Sequence, residues 1–444
     1  MLIIVPLVHR LFTDILYLYT LFQQFIVTHE MRRVVITGIG ALTPIGNTFE
    51  SYADAIKNGV SGAAPITRYD ASLFKTRFAC ELKNFQVEDY MHRREARRMD
   101  PFAQYALVAA DEAIKMSGLD LEKVDLDEIG VIWGSGIGGF KTIEEDIEEA
   151  ASRTGEPKYS PFLIPKLIID IAPGLISIKY GFRGPNYATV SACASSTNAI
   201  ANSFDYIKHG RADVMICGGS EAAVTKAGMG GFSSMKALST RNDDPQSASR
   251  PFDKDRDGFV LGEGAGALVL EEYEHAKARG ANILAEVAGA GMTADAYHIT
   301  SPHPDGLGAT NVMKRALRDA SMNPEDIDYV NVHGTSTPLG DIAESKAIKN
   351  VFGDHAYNLN ISSTKSMTGH LLGAAGVVEA IAGIVALRDD VIPPTINHVT
   401  DDPALDNKLN FTFNEAQERK INAVISNTFG FGGHNCSVIL KRFY

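Results

Sequence analysis

The sequence predicts an α/β protein with largely buried sheets, and two observations carry that prediction. Short β-branched runs alternate with helical patterns along the chain, as in folds that layer helices on a sheet. Several of those runs are apolar at nearly every position, as strands covered on both faces are. Composition agrees: of 444 residues 45% are hydrophobic and 22% charged, close to globular averages, which excludes a disordered or fibrous chain.

In chain order, residues 2–27 (LIIVPLVHRLFTDILYLYTLFQQFIV) come first and are far more apolar than the rest. His9, Arg10, Asp14, Gln23 and Gln24 interrupt them, and Pro6 splits the first turn. A membrane span needs about 20 nearly uninterrupted apolar residues. A signal peptide needs a basic start and a small-residue cleavage site. Neither pattern is met, so residues 1–30 are read as an N-terminal extension outside the fold, with Met31 the working start. An interfacial anchor and a docking helix are the other readings.

From Met31 onward, strands are expected at 33–40 (RVVITGIG), 129–134 (IGVIWG), 187–192 (YATVSA) and 214–219 (VMICGG). Further strands are expected at 266–272 (GALVLEE), 283–291 (ILAEVAGAG), 329–334 (YVNVHG), 423–429 (AVISNTF) and 436–442 (CSVILKR). Helical patterns lie between them: TFESYADAIKNG, AQYALVAADEAIKMSG, SSTNAIANSFDYIKHG, ATNVMKRALRDA and GVVEAIAGIVALRD. The first, third and last stop at or beside Gly or Asp. A division near residue 282 gives two parts, 31–281 and 282–444, each with several strands.

Charge and cysteines narrow the class. Forty-two basic residues against 54 acidic ones give a net charge of −12, which disfavours non-specific nucleic-acid binding. Cys80, Cys193, Cys217 and Cys436 contain no C-x-x-C pair, so neither a disulfide framework nor a zinc site is expected. A reduced, cytoplasmic enzyme is the expectation.

Two motifs are set aside. Gly134 to Gly139 satisfies G-x-G-x-x-G after a strand, but the acidic residues that follow, Glu144 to Glu149, fall on a helix rather than at the tip of a second strand. An NAD-dependent oxidoreductase is thus only a remote alternative. Asp253, Asp255, Asp257 and Gly258 copy the start of a calcium loop, yet Gly264 stands where a bidentate Glu belongs. That stretch is read as a structural turn.

Cys193 is the strongest chemical signal. A strand runs into it and a helix follows, where a helix N-terminus can lower a thiol's pKa and backbone N–H groups can hold an oxyanion. A buried structural cysteine is the alternative, and it is the better reading of Cys217 and Cys436. His333 and His370 stand at strand or loop ends beside glycines, where side chains converge on pockets. Gly430 to Gly433 (GFGG) reads as a glycine loop carrying one large aromatic, or else an ordinary turn.

Taken together, SACASS around Cys193, VHGTSTPLGD around His333, STKSMTGH around His370 and NTFGFGGHN at 427–435 closely resemble the β-ketoacyl-acyl carrier protein synthases of the type II, elongating kind. The likeness runs from Met31 to the C-terminus. It implies a thiolase-like fold: two pseudo-repeated α/β halves in a five-layered α-β-α-β-α core, in a homodimer. It implies decarboxylative condensation of an acyl-enzyme with malonyl-acyl carrier protein, elongating fatty acids by two carbons. A polyketide or specialised-lipid ketosynthase is the alternative of the same fold; a non-catalytic carrier-binding subunit is disfavoured by the intact Cys193.

By this resemblance Cys193 takes the acyl group, and the amides of Cys193 and Phe431 form the oxyanion hole. His333 and His370 donate to the enolate, and Lys365 tunes the site. Thr335, Thr337 and Thr300 contact the phosphopantetheine arm, and Ile137 lines the acyl pocket. Arg94, Arg97 and Arg98, spaced i, i+3, i+4 in MHRREARRMD, are expected on one helix face as a landing patch for the acidic carrier. Neither a metal nor a cofactor beyond the carrier's phosphopantetheine is expected, nor nucleic-acid binding, nor stable membrane insertion.

Overall fold

A computed structural model describes residues 31–444, and the expectations for residues 1–30 fall outside the described residues. Ten strands build the main sheet. The first five are β1 (Val34–Leu42), β2 (Ile129–Gly134), β3 (Asn186–Thr189), β4 (Val214–Glu221) and β5 (Gly264–Glu272). The second five are β6 (Ala285–Ala294), β7 (Tyr329–Asn331), β8 (Asn360–Ser362), β9 (Ala423–Gly430) and β10 (His434–Lys441).

The order across the sheet is β8-β7-β9-β10-β6-β1-β5-β4-β2-β3. Followed outward from the middle, one half runs β1-β5-β4-β2-β3 and the other β6-β10-β9-β7-β8, the same order strand for strand. Directions repeat as well: the two pairings nearest the middle of each half are antiparallel and the two outer ones parallel. The pseudo-repeat is therefore a property of topology. The halves do not form separate sheets, because Val34, Val35 and Ile36 pair with Val287, Glu286 and Ala285 across the middle.

Eight helices cover and fill this sheet: α1 (Phe49–Lys57), α2 (Pro101–Ser117), α3 (Phe140–Ser152), α4 (Ile171–Tyr180), α5 (Ser195–Lys208), α6 (Leu307–Asp319), α7 (Pro338–Phe352) and α8 (Ala375–Asp389). α2 and α4 pack on the first five strands, and α6 packs on the second five with α7 against it. α5 and α8 lie between, α5 touching β2 and β4 but also β6 and β10, and α8 touching β9 and β10 but also β5. These are the five layers.

Sequence explains the placement. α8 is apolar all round, as an interior helix is, and every residue from Ala375 to Leu387 is buried. α2 starts with the Asp100 side chain accepting from Phe102 N–H and Pro101 in its first turn, and stops at Gly118 with φ 65°, the capping chemistry expected at the two ends. It lies backbone-on-backbone against β1. A Cβ on Gly40 would sit 1.9 Å from Ala109 O, and one on Gly38 2.1 Å from Ala113 O.

Two strands are shorter than the sequence predicts. The run 187–192 leaves the sheet after Thr189, and the run 329–334 leaves after Asn331. In both places the chain departs to carry a side chain into the central cavity.

Candidate active site

Between β3 and α5 the backbone turns sharply. Ala192 takes φ 50°, a left-handed conformation that costs a non-glycine residue roughly 1–2 kcal/mol. Ser195 holds it there: its hydroxyl accepts from Ser191 N–H at 2.9 Å and donates to Ala192 O at 2.7 Å. The turn delivers Cys193 to a cavity of about 320 Å³. Gly430, at the end of β9, lies so close that a Cβ on it would be 2.6 Å from Ser191 O and 3.1 Å from Cys193 N. The next residue, Phe431, lines the same cavity, and its backbone N–H acts to lower the Cys193 pKa.

The thiol differs from the sequence expectation of a lowered pKa. Burial pushes Cys193 up to about 12, while Lys365 and the Phe431 N–H pull the other way. The residue sits in the 3₁₀ turn Ala192–Ala194, ahead of α5 rather than inside its first turn, so burial wins. The resting thiol keeps its proton, and His370 Nε2 stands 3.0 Å from the sulfur.

His370 is gripped like a strand residue. Its N–H donates to Val260 O at 2.7 Å and its carbonyl accepts from Gly262 N–H at 2.9 Å, while Phe259 meets the imidazole edge-on at 5.2 Å. His333 is held through its backbone instead. Its N–H and that of Gly334 donate to the two oxygens of Glu344, at 2.9 and 2.8 Å. The two imidazoles cross at 84° with centroids 5.3 Å apart. Cys193, His333 and His370 present side-chain atoms all within 4.8 Å of one another. These are donor types that zinc also accepts, one fewer than the four of a structural site.

Burial, and then the nearby Lys365, holds both imidazoles well below the ordinary histidine value. Both are therefore neutral near pH 7, and Nδ1 of each is buried without a hydrogen-bond partner. Lys365 is itself buried and pairs with Glu379 of α8. Burial raises Glu379, against the pull of Lys365. Glu344, Glu379 and Phe259 escape the sequence reading. The one available signal was a single carboxylate inside an otherwise apolar helix, as in GVVEAIAGIVAL.

The remaining expected residues divide. Thr300, Thr335, Thr337 and Phe431 line the same cavity, with Thr335 Oγ1 and Thr337 Oγ1 2.9 Å apart. Gly432 N–H donates to Ile299 O at 2.7 Å, tying the hairpin turn to the Thr300 segment. Ile137 does not line the cavity. It packs against the apolar cluster that holds Met229, Phe259 and Leu372, the last two of which do line the cavity.

Arg94, Arg97 and Arg98 sit on a short turn: the helix Arg93–Ala96 has Arg97 as its C-cap, and Arg98 N–H still donates to Glu95 O at 2.9 Å. Arg97 lines a groove with Arg68, Arg93, Lys141 and Lys166, and the Arg98 guanidinium lies 5.6 Å over the Phe162 ring. All three remain exposed.

The motifs set aside find other roles. Gly136 and Ile137 donate their N–H groups to the Glu221 carboxylate at 2.7 and 3.1 Å, so the amides a pyrophosphate would use are taken. Asp253 accepts from Val399, Thr400 and Asp255 N–H groups, and Arg256 pairs with Asp341 and Asp402. That turn leads the chain to Phe259.

Comparison with known proteins bears on this arrangement. The family model "Beta-ketoacyl synthase, N-terminal domain" matches residues 31–276, and "Beta-ketoacyl synthase, C-terminal domain" matches 284–399. A 3-oxoacyl-[acyl-carrier-protein] synthase 2 of Synechocystis sp. is 50% identical over 414 residues, covering 93% of this chain and 99% of its own. One from Staphylococcus aureus is 52% identical with the same coverage. Among solved structures, a β-ketoacyl synthase of Burkholderia phymatum superposes with a TM-score of 0.85 at 36% identity, over 93% of this chain and 100% of its own. A type II polyketide ketosynthase solved in complex with its acyl-carrier protein gives 0.86 at 31%, over 94% and 100%.

Proposed function

This chain belongs to the β-ketoacyl synthase family and catalyses the condensing reaction of a 3-oxoacyl-[acyl-carrier-protein] synthase 2, an acyl transfer, and we propose that Cys193 carries the acyl chain while His333 and His370 promote loss of CO₂. The observation that supports this division most is the meeting of a buried thiol, two neutral imidazoles and a strand-end amide in one cavity, with the sulfur 3.0 Å from His370 Nε2.

In the first half-reaction the Cys193 sulfur attacks the acyl thioester of the carrier's phosphopantetheine. Its proton passes to His370 Nε2 and on to the departing pantetheine thiolate. The amides of Cys193 and Phe431 face the oxyanion, each worth about 3 kcal/mol in the transition state. In the second, malonyl carrier protein enters and its carboxylate–carbon bond breaks. The electron pair becomes an enolate whose oxygen accepts hydrogen bonds from His333 and His370, now donating through ring N–H groups. Neutral imidazoles suit this role because they donate without protonating the carbon. The enolate carbon attacks the acyl-enzyme, and the tetrahedral intermediate expels the Cys193 thiolate, which takes up one proton from solvent. Burial, and then the nearby Lys365, keeps both imidazoles neutral. Thr300, Thr335 and Thr337 hold the pantetheine arm, and Ile137 shapes the acyl pocket from behind.

The substrate is a fatty acyl chain, extended by two carbons. The relatives at 50–52% identity are 3-oxoacyl-[acyl-carrier-protein] synthases, whereas the polyketide ketosynthase stands at 31%, and this favours the fatty-acid reading. Arg94, Arg97 and Arg98 attract the acidic carrier, and no cofactor beyond its phosphopantetheine takes part. The halves divide near residue 282, between the helix Tyr273–Ala278 and β6. The enzyme works in the cytoplasm as a homodimer; no helix of the described residues is long and apolar enough to cross a membrane.

The test is mass spectrometry of the protein after incubation with acyl carrier proteins of graded chain length, followed by malonyl carrier protein. A thioester adduct on Cys193 that malonyl carrier protein discharges with CO₂ release supports the reading. An enzyme that condenses without forming the adduct would contradict it.

A further inference from the structure

The turn that heads each central helix repeats between the halves. Ala192, at φ 50°, opens the 3₁₀ turn Ala192–Ala194 before α5, and Cys193 is its second residue. Leu372, at φ 48°, opens the turn Leu372–Ala374 before α8, and Gly373 is its second residue. The fourth strand of each half supplies the residue that faces the turn. At the end of β9 this is Gly430, where a Cβ would lie 3.1 Å from Cys193 N, followed by Phe431, whose backbone N–H acts on the thiol. At the end of β4 it is Glu221, whose Oε2 accepts the Gly373 N–H at 2.9 Å.

The second turn therefore carries an amide nest like the one around the thiol, with a carboxylate built into it. Glu221 is fully buried. It also accepts from Gly136 N–H at 2.7 Å, Ile137 N–H at 3.1 Å and Ser135 Oγ at 3.1 Å. Nothing else fits: a Cβ on Gly373 would lie 2.2 Å from Gly136 N and 2.8 Å from Glu221 Oε2. Hydrogen bonds to a charged acceptor are about twice as strong as neutral ones, so these four fasten two loops from opposite halves of the chain.

One of those loops belongs to the site. Gly373 follows His370 by three residues, and Leu372 between them lines the cavity. We propose that Glu221 is a positioning residue: it pins the turn after His370 to the loop 135–137 and so fixes the His370 imidazole for decarboxylation. This rests on the reading of His370 given above. Glutamine has the same shape but only one accepting oxygen, so its NH₂ would face backbone donors.

The experiment compares Glu221→Gln and Glu221→Ala with the wild-type enzyme, well below each Tm, following CO₂ release from malonyl carrier protein with and without formate. In Glu221→Gln, kcat should fall roughly tenfold or more while KM stays within about twofold, the signature of lost transition-state positioning. In Glu221→Ala, formate should raise Tm and restore part of kcat by refilling the nest, with no such gain in the wild type. A wild-type kcat in Glu221→Gln overturns the proposal. So does formate that raises the Tm of Glu221→Ala without raising its kcat, the mark of a merely structural carboxylate. If Glu221→Ala folds only with formate present, its kcat there decides. If formate does not help it fold, the nest is wrongly assigned. His370→Ala, assayed beside these, separates the two claims: undiminished CO₂ release in that variant removes the reading of His370 itself.

Discussion

Cys193 holds its proton in the resting site because burial outweighs both the Lys365 charge and the Phe431 N–H. Acylation is nevertheless expected at Cys193, the one cysteine that lines the cavity, since Cys80, Cys217 and Cys436 are buried elsewhere. Peptide mapping after exposure to acyl carrier protein should find the acyl group on Cys193 and on no other cysteine. Replacing either imidazole separates the two half-reactions. His333→Ala or His370→Ala should cut CO₂ release from malonyl carrier protein by about 10²–10⁴-fold while leaving part of the Cys193 acylation, and undiminished CO₂ release in both would sink the assignment. The pH dependence has a definite sign. Both imidazoles sit below their ordinary value of 6.5 in the folded chain, so below that pH the unfolded chain binds protons that the folded one refuses. Their contribution to stability is intact above about pH 6.5 and is lost as pH falls below it. CO₂ release should likewise stay level from about pH 6.5 to 8, with its acid limb below 6.5. An acid limb centred at or above 6.5 would contradict neutral, buried imidazoles.

The backbones of α2 and β1 lie in close contact. Gly40→Ala would place a methyl 1.9 Å from Ala109 O, and overpacking of this kind costs about 1–3 kcal/mol, readable as a lower denaturant midpoint at unchanged slope. The single-turn helix Arg93–Ala96 presents charge rather than packing. Arg→Glu at Arg94, Arg97 and Arg98 should raise KM for carrier-linked substrates, and more so at low salt, yet barely change turnover of short pantetheine thioesters. Equal losses on both substrates would make the patch structural. At this scale the limits of the sequence are visible. IGVIWG shows both ends of β2, because strand and apolar run coincide there. YATVSA and YVNVHG overrun β3 and β7, because apolar pattern continues while the backbone has already left the sheet. Cys193, His333 and His370 announce themselves through the glycines and small residues around them. Glu221, Glu344 and Glu379 do not: Glu221 binds amides 85 and 152 positions away, and Glu344 and Glu379 reach back across a turn from within helices. Ile137 enters only through the family resemblance, because the apolar cluster it packs against joins segments far apart in sequence.

Across the whole molecule the sheet has two ends, and the β3 end is exposed. Beside it Ile178 of α4 and Val190, just past the strand, project into solvent in the isolated chain, apolar side chains next to an unpaired strand edge that the proposed second copy would cover. For the homodimer proposed above, Ile178→Lys should lower the sedimentation coefficient toward that of a monomer, whereas an unchanged value would count against an interface at this edge. The middle of the sheet carries a different consequence, one that concerns the ribosome. β1 is made first, yet its neighbours are β5 and β6, and its pairing begins with Val34 opposite Glu272 and Val287. Between Val34 and Glu272 lie about 240 positions, and at about 5–20 residues per second the nascent strand waits roughly 10–50 s for its nearer partner. For that interval an apolar segment with both edges open must be shielded by chaperones or by the growing chain itself. Soluble yield is thus set by how translation speed compares with aggregation, long before any thioester reaches Cys193.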